Sequence, residues 1–419
     1  MDVEQIRRLK PELVRFLREF DDCFGRCDTR GHFPKYVEGQ LSELPRKSVE
    51  PIALKTGVPV RTLQEFLSQH KWDDDRMRDR LQEIVVRDHG GEHSIGIIDE
   101  TSFVKKGEKT PGVQRQHCGA VGKHENCIVT VHLAYARDDF HCLVDGDLFL
   151  PESWSNDRER CREAGVPDDV VYRPKSEIAL ELHQRAESNG VHFEWLTFDE
   201  WYGVKPDFLR TLEQRGQKFI GEVHKHFSAW IDPPPSTSRA LGRRRVPRLL
   251  AGSRPPEHVE DLLQQHSALR DQDWEQWRVK DGEKGPMVWE VKHVTIYVKD
   301  ERGLPGPPWH LVVARYVENR EQLKFFISNA PPSTGVGLLL KVAFSRWRIE
   351  RSFEDQKGEV GLDHYEGRRW IGLKRHLALS AVSYLFLAKV HQQLRGEKPG
   401  TDCVPGPHRN LRSSPLLLA

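Results

Sequence analysis

Arg346-Trp-Arg-Ile-Glu-Arg-Ser-Phe-Glu-Asp-Gln-Lys357 is the stretch from which the rest of the chain can be read. It contains neither Pro nor Gly, and apolar positions recur at Phe344, Trp347, Ile349 and Phe353, which is a helical pattern. At about 100° per residue, Arg346, Glu350 and Lys357 fall within an arc of roughly 40°, so one face presents a carboxylate between two cations. A salt-bridged surface helix is the plain alternative, although such a helix more often spreads its charges around the exposed side. A carboxylate flanked by Arg and Lys suits a metal ion that holds a phosphate. The acid takes the metal, and the cations take the phosphate oxygens. Such a site needs further carboxylates from elsewhere in the chain.

With 419 residues the chain exceeds the size at which one core keeps growing, so two or three domains are expected. Hydrophobic content of 37% with 11 Trp and 18 Phe argues against global disorder. The 64 basic and 63 acidic residues leave a net charge of +1, so any case for nucleic acid has to be local. The opening residues Met1-Asp-Val-Glu do not resemble a signal peptide, and no run is long enough to span a bilayer. Seven scattered cysteines fit reduced thiols and a cytoplasmic location rather than a disulfide framework. Cys23, Cys27 and His32 lie close in sequence, but no second pair has the spacing of a structural zinc site.

Residues 1–20 carry a helical pattern through Ile6, Leu9, Leu13, Phe16 and Leu17. Ser48–Thr56 and Val60–His70 read as two short helices around Gly57-Val-Pro and resemble a helix-turn-helix. Met77–Val86 adds a helix, and Asp88-His-Gly-Gly-Glu closes a helical N-terminal domain, 1–89. The period then changes. Ser94–Ile98 reads as a short buried strand that ends in acids at Asp99 and Glu100, followed by strands at Gly112–Val121 and Cys127–Ala136. Lys175–Asn189 reads as a helix, and Phe193–Phe198 as a strand ending in Asp199 and Glu200. A helix at Pro206–Arg215 and a strand at Lys218–Val223 follow, so strands and helices alternate as in an α/β core.

From Phe227 to Pro332 the alternation stops. Arg239–Arg254, with Arg243, Arg244 and Arg245, reads as an arginine-rich loop suited to DNA-backbone contacts. Val288–Val298, Leu311–Tyr316 and Lys324–Ser328 read as strands of an inserted β-rich domain, 227–332. The core is thus expected over 90–226 and 333–395, closing on a buried helix at Leu377–Val390, with a disordered tail at 396–419.

Asp99 and Asp199 each end an expected strand, where open α/β sheets place ligand groups. Together with Glu350 they form the carboxylate set that a two-metal phosphoryl-transfer site needs. Hard oxygen donors select Mg²⁺ or Mn²⁺.

These residues carry a resemblance. Ile97-Ile-Asp99-Glu-Thr-Ser-Phe-Val-Lys-Lys-Gly, Gly112–Lys123 and Asn126-Cys come first. Phe198-Asp199-Glu-Trp-Tyr-Gly203, Ile327-Ser-Asn-Ala-Pro, Arg346–Glu350, Lys357 and Gly361–Arg368 follow in order. The chain resembles DDE transposases of bacterial insertion sequences, in the insertion-sequence-four superfamily and its seven-oh-one branch. The resemblance implies an RNase-H-like (retroviral-integrase-like) catalytic core. It implies Asp99, Asp199 and Glu350 as catalytic and metal-holding residues, with two Mg²⁺ or Mn²⁺ ions. Glu354 is a rival one turn along, but the family's spacing of Arg, Glu and Lys selects Glu350. Arg346 and Lys357 match the signature Arg and Lys that contact DNA, and Lys105 and Lys106 are further candidates for phosphate contacts. The signature's Tyr falls at position 343, which is Ala343. The implied activity is cleavage of transposon-end DNA and strand transfer to target DNA. The implied partners are double-stranded DNA and a second subunit on the paired ends, in a nucleoid-associated bacterial protein. Trp274, Trp277, Trp289 and Trp309 are candidates to stack on a flipped base if a hairpin forms. A degenerate copy that binds DNA without cutting it is the alternative.

Overall fold

Leu9, Leu13, Phe16 and Leu17, spaced by three and four, are all buried, so the first expected helix packs as its period implies. The computed structural model describes residues 3–241, 244–282 and 285–396. Helices come first: α1 (Val3–Arg18), α2 (Cys27–Gln40), α3 (Val49–Thr56), α4 (Val60–Ser68) and α5 (Asp74–His89). Strands β1 (Ile95–Val104), β2 (Gln114–Cys118), β3 (Lys123–Arg137) and β4 (Phe140–Leu148) follow. Next are α6 (Glu152–Ser155), α7 (Arg158–Ala164) and α8 (Lys175–Ser188). The chain continues through β5 (Trp195–Phe198), α9 (Glu200–Gly203), α10 (Pro206–Gln214) and β6 (Phe219–Val223). Short pieces come after: β7 (Ser228–Ala229), β8 (Ser236–Leu241), β9 (Arg244–Leu249), β10 (Glu257–His258), α11 (Val259–Gln265) and α12 (Ser267–Arg270). Long strands then return as β11 (Glu275–Gly282), β12 (Gly285–Lys299), β13 (Pro305–Tyr316) and β14 (Leu323–Ser328). α13 (Val336–Ala343), α14 (Trp347–Asp355) and α15 (Trp370–Gly396) complete the described chain. The expected tail lies outside the described residues. The protein is a mixed α/β fold in two compact units. One comprises the chain up to Phe193 together with the chain from Trp347 onward, and the other is Glu194–Arg346.

In the first unit β1, β3 and β4 form an antiparallel meander, with β2 on the outer part of β3. β4 was not foreseen, because Phe140–Leu148 carries Asp145, Gly146 and Asp147 among its apolar residues. The N-terminal helices exist as expected but do not stand apart from this sheet's unit. Helix α15 holds them through buried polar groups. The Gln40 side chain bonds Ser380 and Ser383, each at 2.8 Å, and Tyr36 meets His376 at 2.9 Å. A short turn joins α3 to α4: Gly57 ends α3 in the left-handed region at φ 69°, where a side chain would be strained. Ile52, Ala53, Leu63, Phe66 and Leu67 bury the inner face of the pair.

The second unit begins with β5 and β6, parallel and joined by α9 and α10. β14 adds to β6 antiparallel, with Phe325 opposite Val223 and Ser328 opposite Ile220, and β13, β12 and β11 follow as a meander. β6, expected in the core, thus pairs directly with β14, expected in the insertion. The expected arginine loop is also different. Its backbone forms an antiparallel ribbon, β8 on β9, running from Ser236 opposite Leu249 to Leu241 opposite Arg244. Dense Arg and the neighbouring prolines hid that strand pattern in the sequence.

Candidate active site

Asp99 sits in the middle of β1 and does not end it, as the sequence had suggested. Antiparallel pairing with β3 carries the strand on to Val104, opposite Cys127. Asp99 is only 8% exposed, and its Oδ1 accepts the Glu100 amide at 2.8 Å. Its partner across the ladder is His132. Directly opposed residues share a face of the sheet, as do residues two apart, so Asp99, Thr101, His132 and Thr130 belong to one face. His132 is buried with Nε2 on the Thr130 hydroxyl at 2.8 Å, and burial pushes its pKa down to about 3. A neutral imidazole therefore lies beside the aspartate. Glu100 accepts an ion pair from Lys175 of α8.

Helix α14 lies on that same face. Phe353 packs edge-on against His132, with ring centroids 5.3 Å apart. Lys357 reaches β1, where Nζ donates to the Thr101 hydroxyl at 2.7 Å and approaches the Ser102 carbonyl at 3.4 Å. His141 holds α14 at two points, through Ser352 in its second turn at 2.9 Å and through Trp347 at its start, which lies beside the same ring. Glu350 stands exposed in the first turn of α14, where a carboxylate is favoured by the helix dipole. The rival Glu354 pairs with Arg351 at 3.6 Å, and Arg351 also holds Asp355 at 2.8 Å.

The single helix expected over 346–357 is in fact three kinds of turn. Phe344–Arg346 is a 3-10 turn, Trp347–Asp355 is α-helical, and Gln356–Val360 opens into a π turn. Arg346 and Lys357 thus both lie outside the regular 100° progression, and the narrow arc drawn from the sequence does not apply to them. Gly358 weakens the helix inside the π turn, and Gly361 ends it at φ 70°. A Cβ at Gly361 would fall 2.7 Å from the Cβ of Lys47. Burial lowers the pKa of the Lys357 ammonium, and the Asp363 carboxylate partly opposes that shift.

Asp199 directly follows β5, as expected, and caps α9. Its Oδ1 accepts the amides of Trp201 at 3.0 Å and Tyr202 at 3.4 Å, which orients the carboxyl group. Among the described residues, no three His, Cys, Asp or Glu side chains are gathered closely enough to hold a metal ion. The three carboxylates stand on separate elements: β1, the turn into α9, and α14.

The remaining candidates divide. Lys106 is exposed, whereas the Lys105 ammonium turns inward to the carbonyls of Asp363 at 3.1 Å and Tyr365 at 2.6 Å. Arg243 lies outside the described residues, and Arg244 and Arg245 open strand β9. Three of the tryptophans are occupied by packing within their own unit. Trp289 lies against Tyr316 and Phe344, Trp309 bonds Glu213 at 3.0 Å, and Trp274 carries Arg315 at 4.1 Å over its ring. The described cysteines are free thiols. His132, Lys47 and the π turn had no local signal in the sequence, since the contacts that define them join strands and loops far apart in the chain. No described helix is long and apolar enough to cross a membrane.

Residues 19–286 match the family described as DDE superfamily endonuclease. The match covers well over half of the chain, and the protein belongs to this family. It takes in Asp99 and Asp199 but stops short of Glu350. The chain is also 32% identical, over 204 residues, to a probable transposase for insertion sequence element IS701 of Microchaete diplosiphon. That alignment covers 48% of this chain and 50% of the relative, so the chain spans about half the length of the curated relative it matches.

Proposed function

We propose that the protein is a transposase that cleaves DNA at the ends of its element and joins them to target DNA. In this reading Asp99, Asp199 and Glu350 hold Mg²⁺ or Mn²⁺ within an RNase-H-like core. The observation that carries it is the seating of α14 on the Asp99 face of β1, through Phe353 on His132 and Lys357 on Thr101. This seating puts the helix that bears Glu350 on the aspartate's side of the sheet. The donors are carboxylate oxygens, and the buried imidazole beside them is neutral with Nε2 on a hydroxyl, so the set suits a hard divalent ion.

Bound there, such an ion supplies Lewis-acid activation of an attacking oxygen and offsets charge on the leaving one. The chain's own residues do the rest. Backbone amides orient the carboxyls of Asp99 and Asp199 before any ligand arrives. Lys357 and Arg346 supply cations for the phosphate beside the cut, Lys106 lies exposed for the flanking backbone, and the arginine-rich stretch with Arg243, Arg244 and Arg245 is the candidate for further backbone contacts. The α3–α4 pair is the candidate DNA reader. Double-stranded DNA and a second subunit on the paired ends are the partners in this reading, and a nucleoid-associated location follows from it.

The test is cleavage of a labelled duplex from the boundary of the element that encodes the chain, with Mg²⁺ or Mn²⁺, beside Asp99→Asn and Glu350→Gln. Nicking at the boundary that both substitutions reduce by about three orders of magnitude or more supports the reading. Equal, tight binding by all three proteins with no cutting by any would instead favour a DNA-binding relic, and Ala343 would then be the first position to restore to Tyr.

A further inference from the structure

The segment after the π turn is held by basic side chains from three distant parts of the chain. Lys47, between α2 and α3, donates Nζ to the carbonyl of Gln40 at 2.8 Å and to that of Glu359. Its amide bonds His364 Nδ1 at 2.9 Å. His376 of α15 places Nε2 at 3.0 Å from the Gly361 carbonyl and 3.2 Å from that of Leu362. Lys105, one residue past β1, takes the next carbonyls, those of Asp363 and Tyr365. Carbonyls that leave a helical end point outward without partners and carry its negative pole, and these groups meet that need from within the protein.

The backbone of Lys105 is itself fixed. Its amide bonds the Asn126 carbonyl at 2.9 Å, and its carbonyl accepts Asn126 Nδ2 at 2.8 Å. The ammonium groups of Lys105 and Lys357 lie over one ring, that of Phe103, at 5.9 and 5.6 Å from its centroid. A rod of β1 residues therefore carries Asp99, the hydroxyl of Thr101 that receives Lys357, the shared ring, and then Lys105.

We propose that Lys105 is a positioning residue for Lys357 and not a phosphate ligand. By closing the carbonyls of 363 and 365 it fixes the segment that ends the π turn, and so sets where the Lys357 ammonium lies along the Asp99 face. Two of its three donors are spent on backbone carbonyls of the segment that ends the π turn, whereas the shortest bond of Lys357 is to a single hydroxyl on the Asp99 face. The assignment rests on the transposase reading only for what Lys357 then touches.

The experiment compares the full-length protein with Lys105→Met, Lys105→Arg and Lys357→Met. The probe is the same boundary duplex, with binding measured across a salt series and cleavage at saturating DNA. Removing a phosphate contact lowers the slope of log K against log salt by about 0.9. Lys357→Met is expected to show that loss. Lys105→Met is expected to keep the slope while cleavage falls by about 10- to 100-fold, and Lys105→Arg to recover part of it. A lowered slope in Lys105→Met with cleavage intact would overturn the proposal. Hydrogen exchange at the amides of 361–366 decides the matter independently of any nuclease. Faster exchange there in Lys105→Met, with β1 and β3 still protected, supports positioning, and unchanged exchange overturns it. If wild type does not cut, the transposase reading fails while the exchange result still stands. If Lys105→Met does not fold, Lys105→Gln, which keeps an N–H donor, carries the same comparison.

Discussion

Replacing Arg375 with Met tests how α4 is attached to the protein. Arg375 is 5% exposed on α15, and its guanidinium bonds the carbonyls of Leu67 at 3.1 Å, His70 at 2.9 Å and Trp72 at 2.9 Å. The Phe66 carbonyl lies at 3.4 Å, Asp74 at 3.4 Å, and the Trp72 ring centroid at 4.4 Å. Burial pushes the Arg375 pKa down and that of Asp74 up, so desolvation outweighs the attraction within this pair. The stabilisation therefore comes chiefly from closing the carbonyls at the end of α4, each of which costs about 1–3 kcal/mol if left buried and unpaired. With some of that cost recovered by relaxation, Arg375→Met is expected to lose about 3–5 kcal/mol. In a unit of this size that lowers the melting temperature by roughly 8–16 °C. Asp74→Asn, which removes charge but no carbonyl partner, is expected to lose about 1 kcal/mol. Calorimetry of the full-length variants reads both, and hydrogen exchange shows whether α4 opens first. If Asp74→Asn costs as much as Arg375→Met, the ion pair dominates and the carbonyl argument is wrong. A shift below about 2 °C in Arg375→Met would refute it outright.

In the second unit, a Cβ at Gly221 would fall 1.9 Å from Cε2 of Phe198, a fully buried ring. Gly221→Ala is therefore expected to cost about 3 kcal/mol in urea unfolding and, because Phe198 precedes Asp199, to lower cleavage as well. Stability should also depend on pH through buried histidines. Burial lowers His132 to about 3 and both His89 and His376 to about 4. Their neutral forms are at no disadvantage above pH about 6.5, where the unfolded chain is neutral too. As pH falls below that, the unfolded chain takes up protons that the fold refuses, so each histidine removes about 1.4 kcal/mol per pH unit until its own lowered pKa is reached. Chemical unfolding between pH 7 and 4.5 should show a steep loss, and a flat profile would contradict the buried neutral imidazoles.

The parts of the fold that could be read in advance are those governed by local period and punctuation. Leu9 to Leu17 and Leu63 to Leu67 announce helices, Gly57 announces the turn between α3 and α4, and Val288–Val298, Leu311–Tyr316 and Lys324–Ser328 announce strands. Asp199 was also legible as a strand end, because a short apolar run closes on an acid there, whereas its cap on α9 emerges only in the fold. Asp99 stands out in the sequence, but its setting does not. Whether a strand stops at an acid or runs through it depends on a partner, and β3 pairs with β1 all the way to Val104. The same holds for β6, since only pairing reveals that it accepts β14.

Residue types and their short-range spacing by themselves determined the mixed α/β class, the acids worth following and the family these residues resemble. Those features need only the chain's own periodicity and the chemistry of carboxylates and cations. Tertiary structure alone decided that α14 gives way to a π turn at Gln356, that Phe353 and Lys357 rest on the Asp99 face, and that Lys105 faces inward. Each depends on a donor and an acceptor, or two packed rings, that lie hundreds of positions apart. Lys47 and Glu359, for example, are separated by 312 residues. No local pattern encodes such a pairing, because it is set by which buried carbonyls the completed fold leaves to be satisfied.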